Sequence, residues 1–391
     1  LTLPLPALSL YVHVPWCVRK CPYCDFNSHG VGRNAALPEQ DYLAALFADL
    51  DGDLALVGER AVQSVFIGGG TPSLMSPDFF HQLLEGLHQR LAFHEDCEIT
   101  LEANPGTVEQ SRFEGFRAAG INRLSLGIQS FQPEQLAELG RIHSGDEAYR
   151  AVGSARRAGF DNINLDLMHG LPGQDIERAL ADIDQALSLS PEHLSWYQLT
   201  LEPNTEFYVK PPVLPHDETL WAIQDAGHQR LESAGLVRYE ISAYARPGRV
   251  SRHNLNYWQF GDYLGIGAGA HGKLSAWNEH AELIVERRWK SRQPDAYLRR
   301  HDDPRGFIAD RRRVEADELP LEFAMNALRL MEGVPLTLWS AHTGRSPAVL
   351  ERHLQQARKK GLLMDSDERL QATPTGLLFL NDLLGMLDEA E

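Results

Sequence analysis

Three cysteines stand within eight residues in Cys17-Val-Arg-Lys-Cys21-Pro-Tyr-Cys24, directly after the strand-like run Leu10–Val14. Thiolates are the usual ligands of iron–sulfur clusters, so three on one short loop can hold three irons of a cubane [4Fe–4S] cluster. The fourth iron then has no protein ligand and can bind a substrate. A zinc site wants four ligands, commonly as two C-x2-C or Cys/His pairs. Cys97 lies far along the chain, and neither His13 nor His29 completes a zinc spacing. A disulfide would leave one of the three unpaired in a chain that is not disulfide-dense. The cluster is the expected occupant.

Such a loop needs a scaffold, and the first two hundred residues supply a strand-then-helix rhythm. Strand-like segments fall at Leu10–Val14, Val62–Ile67, Glu98–Leu101, Arg123–Leu126, Asn162–Leu167 and Leu194–Leu199, with amphipathic stretches between most of them. Repeated units of this length predict parallel strands with right-handed crossovers, in a doubly wound sheet or an incomplete (β/α)6 barrel. In barrels the chemistry gathers at the C-terminal strand ends. Here Gly68-Gly69-Gly70-Thr71-Pro72 follows strand two, Glu102 and Asn104 close strand three, and Gln129 follows strand four. Asp166 is expected to end strand five, and Gln198 and Thr200 strand six. One active face is the expectation.

The rhythm breaks after about residue 205. The chain divides on this reading into a partial barrel at 1–205, an extension at 206–316 and a C-terminal α+β unit at 317–391. The extension carries His253-Asn254-Leu255-Asn256-Tyr257-Trp258 and the glycine-dense Gly265-Ile266-Gly267-Ala268-Gly269-Ala270-His271. The last unit, with three helices, a two-stranded wing and a closing helix, has the pattern of a winged-helix module. It shows no dense basic face, so a protein-contact or lid role is expected of it. Net charge is −17, from 37 basic and 54 acidic residues. Phosphate binding rewards basic surfaces, which argues against nucleic acid as the main partner. No apolar run is long enough to span a bilayer, and the first residues lack signal-peptide character. The absent initiator methionine suggests that a few residues have been trimmed. A reduced cluster on exposed thiols predicts a cytoplasmic protein.

The run Tyr11-Val-His13-Val-Pro15-Trp16-Cys17 resembles the coproporphyrinogen dehydrogenase-like branch of the radical S-adenosylmethionine (SAM) superfamily. So do Gly68–Pro72, Glu102-Ala-Asn104-Pro-Gly106, Gly127-Ile-Gln129, Gly140-Arg141-Ile-His143 and Asn164-Leu-Asp166, and the likeness spans nearly the whole chain. The resemblance implies a partial (β/α)6 TIM-like barrel. It also implies SAM bound at the open iron and cleaved reductively to methionine and a 5′-deoxyadenosyl radical. Carried over by position, Tyr11 and Arg141 meet the SAM carboxylate, Tyr23 lies near the adenine, and Gly69, Gly70 and Thr71 meet the methionine amino group. Glu102 takes ribose hydroxyls, as an ionised carboxylate accepts two hydrogen bonds at once. Asp166, Gln129 and Gln198 complete the rim.

Within that branch the dehydrogenases carry a further cysteine two residues after the last cluster ligand. Here that position is Phe26, as in the haem-chaperone group, whose H-N-x-x-Y-W block and histidine after the glycine run are matched by His253–Trp258 and His271. The resemblance therefore implies haem as cargo, delivered to apoproteins such as cytochromes. Imidazole is a common haem ligand, and aromatic rings pack on a macrocycle. His253, Tyr257 and Trp258 are the haem candidates, with His271 a rival ligand or second-site contact. An electron donor, dimerisation through the cluster and at most peripheral membrane contact are implied as well. Two enzymatic readings stand beside the chaperone: oxygen-independent coproporphyrinogen III dehydrogenase, and a haem-degrading radical SAM methyltransferase.

Overall fold

The computed structural model describes residues 4–32, 35–107 and 110–388. Its centre is a twelve-stranded mixed sheet. Six strands are those expected: β1 (Leu8–Val14), β2 (Val62–Gly69), β3 (Phe93–Ala103), β4 (Arg123–Gln129), β5 (Ile163–His169) and β6 (His193–Gln198). They pair in parallel in chain order. β1 alternates Leu or Val with Ser9, Tyr11 and His13, yet all but Tyr11 are buried, because both faces of a parallel strand are covered.

Five crossover helices lie between these strands: α1 (Glu39–Val57), α2 (Pro77–His88), α3 (Gln110–Ala119), α4 (Gly145–Arg157) and α5 (Ile176–Ser188). Their starts are written in the sequence. Ser76 caps α2 with Pro77 at its first position, Ser144 and Glu147 form a capping box on α4, and Asp175 caps α5.

The extension enlarges this sheet at both ends. Beyond β6, after α6 (Asp217–Ser233), β7 (Val237–Glu240) and β8 (Ala243–Ala245) add antiparallel strands. After the short helix α7 (Arg252–Trp258), β9 (Asp262–Ile266) lies parallel to the outer edge of β1 and is a seventh parallel strand. β10 (His271–Trp277), β11 (Leu283–Lys290) and β12 (Ile308–Arg313) then follow antiparallel. The final order is β12-β11-β10-β9-β1-β2-β3-β4-β5-β6-β8-β7, open at its ends.

The glycine-dense run is packed tightly. A Cβ on Gly267 would lie 2.4 Å from the His13 carbonyl oxygen, and one on Gly265 would lie 2.0 Å from that of His271. Buried charges pin the extension to the barrel. Lys290 on β11 bonds Asp49 and Asp53 of α1, Arg288 reaches Asp53 at 2.7 Å, and the Tyr297 hydroxyl donates to Asp49 at 2.6 Å.

The C-terminal unit has its own apolar core around Phe323, Trp339, Leu354 and Leu383, which also takes in Phe260 and Val285 of the extension. It contains α8 (Leu319–Ala327), α9 (Thr337–Thr343), α10 (Pro347–Lys359) and α11 (Leu380–Asp388), with a ribbon pairing Val334–Pro335 and Arg369–Leu370. The chain after α10 adds only the single bridge Leu363–Ala372. No helix among the described residues is long and apolar enough to cross a membrane.

Candidate functional site

β1 delivers the cysteine loop to the C-terminal rim of the sheet, and the loop is closed on itself. Trp16–Cys17 pairs with His29–Gly30, and the Cys24 amide donates to the Cys21 carbonyl at 3.1 Å. The turn after β2 then holds the loop from below. The Gly70 and Thr71 amides donate to the Val14 and Trp16 carbonyls, each at 2.7 Å. A Cβ on Gly70 would lie 2.6 Å from the Trp16 oxygen, so only glycine lets the two chains approach this closely.

Each thiol has a polar neighbour of its own. Thr71 Oγ1 donates to Cys17 Sγ at 3.4 Å, Arg141 Nη1 to Cys21 Sγ at 3.8 Å, and Ser28 Oγ lies 3.5 Å from Cys24 Sγ. Burial pushes the Cys17 thiol up to about 11 against the Thr71 bond, and it raises Cys24 too. Coordination to a metal is what takes the proton from such a thiol. Among the described residues no three His, Cys, Asp or Glu groups converge on one metal ion. The three cysteines instead border one cavity, as suits donors to separate irons.

That cavity, of about 340 Å³, is bounded by the loop and the rim. Alongside Cys17, Cys21 and Cys24 it is lined by Tyr23, Gly69, Gly70, Thr71, Glu102, Gln129, Arg141 and Asp166. Three of the rim residues differ from expectation, the first being Thr200, which lies beyond the end of β6 and does not line the cavity. β5 runs on to His169, so Asp166 lies in mid-strand and not at its end. Gln198 is not in the cavity; its amide oxygen accepts from Gln224 Nε2 at 3.1 Å. Side chains alternate along β6, and Ser195 and Tyr197 face the cavity in its place.

Rim residues also orient one another, and of these Ser125, Ser195 and Tyr197 were missed by sequence reasoning. Asn104 and the Gly127 carbonyl accept from Arg141 Nη2 at 2.6 and 2.5 Å, and Asn104 donates to Thr71 Oγ1 at 3.0 Å. Ser125 donates to Asp166 at 2.9 Å, and Asn164 reaches it at 2.8 Å. The Tyr197 hydroxyl donates to Gln129 Oε1 at 2.7 Å, holding a residue whose φ of 71° is in the left-handed region. Such backbone is uncommon outside glycine and clusters at binding sites. Two-residue alternation from Gln129 back to Gly127 and Ser125 is the signal that would have found the Ser125 position.

Charge in the cavity is unbalanced. Burial, together with Asp166, pushes Glu102 up to about 8, while the Gly69 amide donates to Glu102 at 3.0 Å and opposes the shift. Burial also raises Asp166. Arg141 keeps its Nε buried without a hydrogen-bond partner, an exception among buried polar groups.

Tyr11, placed by the resemblance beside the SAM carboxylate, instead lines a second cavity of about 550 Å³ together with His271, the rival haem ligand. Tyr257, Trp258, Tyr263 and Arg292 share it, and Phe26 borders both cavities. His253 does not line it. It is 1% exposed, with Nδ1 on Ser64 Oγ at 3.0 Å and Nε2 on the Tyr257 hydroxyl at 2.8 Å. Burial lowers its pKa to about 3, so the ring is neutral.

A partial parallel barrel with three cysteines at its mouth is the architecture of the radical SAM superfamily. The family profile described as "Radical SAM superfamily" matches residues 11–186, and "HemN C-terminal domain" matches residues 314–379. The solved coproporphyrinogen III oxidase (HemN) of Escherichia coli superposes with a TM-score of 0.81 at 22% identity, over 99% of this chain and 91% of that one. Sequence relatives are narrower. "Heme chaperone HemW" of Escherichia coli is 50% identical over 380 residues, covering 97% of this chain and 98% of the relative. Its counterpart in Haemophilus influenzae is 48% identical over 97% of both. That of Bacillus subtilis is 32% identical over 96% and 98%. The chain belongs to the HemW family.

Proposed function

We propose that the chain is a haem chaperone that holds a [4Fe–4S] cluster through Cys17, Cys21 and Cys24, binds SAM in the cavity they border, and delivers haem to apoproteins such as cytochromes. The observation that carries this reading is the 50% identity, across 97% of the chain, to a relative named a haem chaperone. The donor set fits the cofactors. Three thiols with separate polar neighbours suit three irons, and the unpartnered Arg141 Nε is a donor waiting for an anionic ligand group. Glu102 and Asp166, crowded and buried, gain from any ligand that brings hydroxyl donors. The bound cluster would supply an electron and an open coordination site.

The chain's own residues do the positioning. Asn104 and Gly127 hold the Arg141 guanidinium, Ser125 and Asn164 hold Asp166, and Tyr197 holds Gln129. The division at 1–205, 206–316 and 317–391 fits these tasks: cofactors on the barrel, cargo against the extension, and a C-terminal unit for contact with acceptors. An electron donor, a cytoplasmic setting and a cluster-linked dimer belong to the same reading.

Coproporphyrinogen III dehydrogenase, the fold's other activity, is separated by anaerobic turnover of reconstituted protein with coproporphyrinogen III, SAM and a strong reductant. The proposal expects no porphyrin product from protein that releases 5′-deoxyadenosine. Formation of protoporphyrinogen would replace it with the dehydrogenase reading.

A further inference from the structure

The second cavity lies on the other side of the cysteine loop from the first, between β1, β9–β11, α7 and the C-terminal unit. Its size is within the roughly 300–1,000 Å³ of pockets that take up cofactor-sized ligands. Aromatic residues form much of its wall: Phe26, Tyr257, Trp258 and Tyr263. Phe26 is 56% exposed, a large apolar side chain left open between two cavities.

The polar groups in this wall are sorted by what they already do. Lys273 is fully buried and committed to Asp262 and the Phe260 carbonyl. Arg287 is bound to Glu322 and to the Tyr263 hydroxyl. Among the described residues, three exposed polar side chains remain unengaged: Asp25, His271 and Arg292. His271 is exposed, and its ring makes no hydrogen bond within the described chain; its recorded ring contact is edge-on with Trp289, centroids 6.0 Å apart. The Arg292 side chain is exposed and likewise makes none, while its backbone carbonyl accepts from Asn27 Nδ2 at 2.8 Å. The Trp258 indole nitrogen is buried without a partner.

Resting on the haem-chaperone reading, we propose that haem occupies this second cavity, with the His271 imidazole as axial ligand, Tyr257 and Trp258 against the macrocycle, and Arg292 at a propionate. His253, which the sequence offers first as ligand, then has a different task. For its ring to reach an iron it would have to leave both Ser64 and Tyr257 and turn out of the core. It is a positioning residue that fixes the Tyr257 hydroxyl, and through it the aromatic wall. Arginine suits the propionate because its planar fork matches a carboxylate. The cysteine loop forms the partition: Asn27 donates to the Ala268 and Arg292 carbonyls at 2.9 and 2.8 Å, tying cluster side to cargo side.

The test is haemin titration of the full-length protein, read by absorption and electron paramagnetic resonance, for wild type, His271→Ala, His271→Met, Tyr257→Phe and Arg292→Glu. The expected result is a histidine-ligand spectrum in wild type that is lost in His271→Ala, restored there by free imidazole, and changed to a different ligand signature in His271→Met. Arg292→Glu weakens binding about tenfold without changing the ligand signature, and Tyr257→Phe retains that signature. An unchanged wild-type spectrum in His271→Ala, or loss of the ligand signature in Tyr257→Phe, would overturn the assignment while leaving a haem-binding chaperone. No haem binding by folded wild type would instead remove the chaperone reading itself.

Discussion

Replacing Arg141 by lysine keeps the positive charge and removes the fork. In the structure the two terminal nitrogens are already spent on Asn104, the Gly127 carbonyl and Cys21, and Nε is left buried and without a partner. A lysine has one nitrogen and cannot hold that arrangement while also meeting a ligand carboxylate. A hydrogen bond to a charged group is worth about 1.5–3 kcal/mol, so the SAM dissociation constant should rise about 10- to 150-fold. Asn104 loses one of its partners at the same time, so Arg141→Met, which removes the charge as well, should weaken SAM binding at least as much. The assay is equilibrium dialysis of SAM against cluster-reconstituted protein, with iron and sulfide content and the thermal midpoint measured on the same samples. A SAM affinity within twofold of wild type in Arg141→Lys, with iron content unchanged, would refute a ligand role for this side chain.

Four other outcomes follow from the geometry. Cys21→Ser should abolish cluster assembly; retention of four irons per chain on chemical analysis would contradict the ligand set. Lys290→Met leaves Asp49 and Asp53 buried without their shared cation, and removing one partner of a buried pair costs about 3–5 kcal/mol; an unshifted urea midpoint would speak against it. His169 is buried, packed on Trp196, and burial lowers its pKa to about 3. The unfolded chain therefore takes up the proton first as pH falls below about 6.5, so stability is full above that value and lost toward 3. At pH 5 the loss is about 2 kcal/mol for this one group. His169→Phe should lose that much less between pH 7 and 5, and identical pH profiles by denaturant titration would count against the assignment. Gly127→Ala places a Cβ 2.9 Å from Asn104 Oδ1 and 3.2 Å from Gln129 Nε2. It should weaken SAM binding more than it lowers the thermal midpoint, and wild-type affinity would show that Asn104 and Gln129 yield freely.

The strands and the cysteine loop were legible because their causes are local. A buried parallel strand needs an apolar run, and a cluster needs thiols close in sequence. β9 was not legible, since Gly265 hides the strand pattern and is required by the approach of the His271 backbone, a contact across the sheet. Gln198 illustrates another limit. It is polar and at a strand end, but the alternation of β6 turns Tyr197 inward and Gln198 outward, and only the register decides which. His253 shows a third. Residue type marked it as a ligand, whereas its bond to Ser64 comes from a strand far away in sequence and its other bond from Tyr257 one turn along α7. Glu102 and Thr71 were found because strand ends of a parallel sheet share one rim, whatever the exact strand lengths, whereas Arg141 came from the family resemblance alone.

Haem handover tests the central claim most directly. Protein loaded with one equivalent of haemin is mixed with excess apo-cytochrome b, and the Soret band is followed while the products are separated by size. The account predicts that intact haem leaves the chain and appears in the cytochrome with its native spectrum. Haem retained by the chain, or recovered as a cleaved or methylated tetrapyrrole, would contradict it.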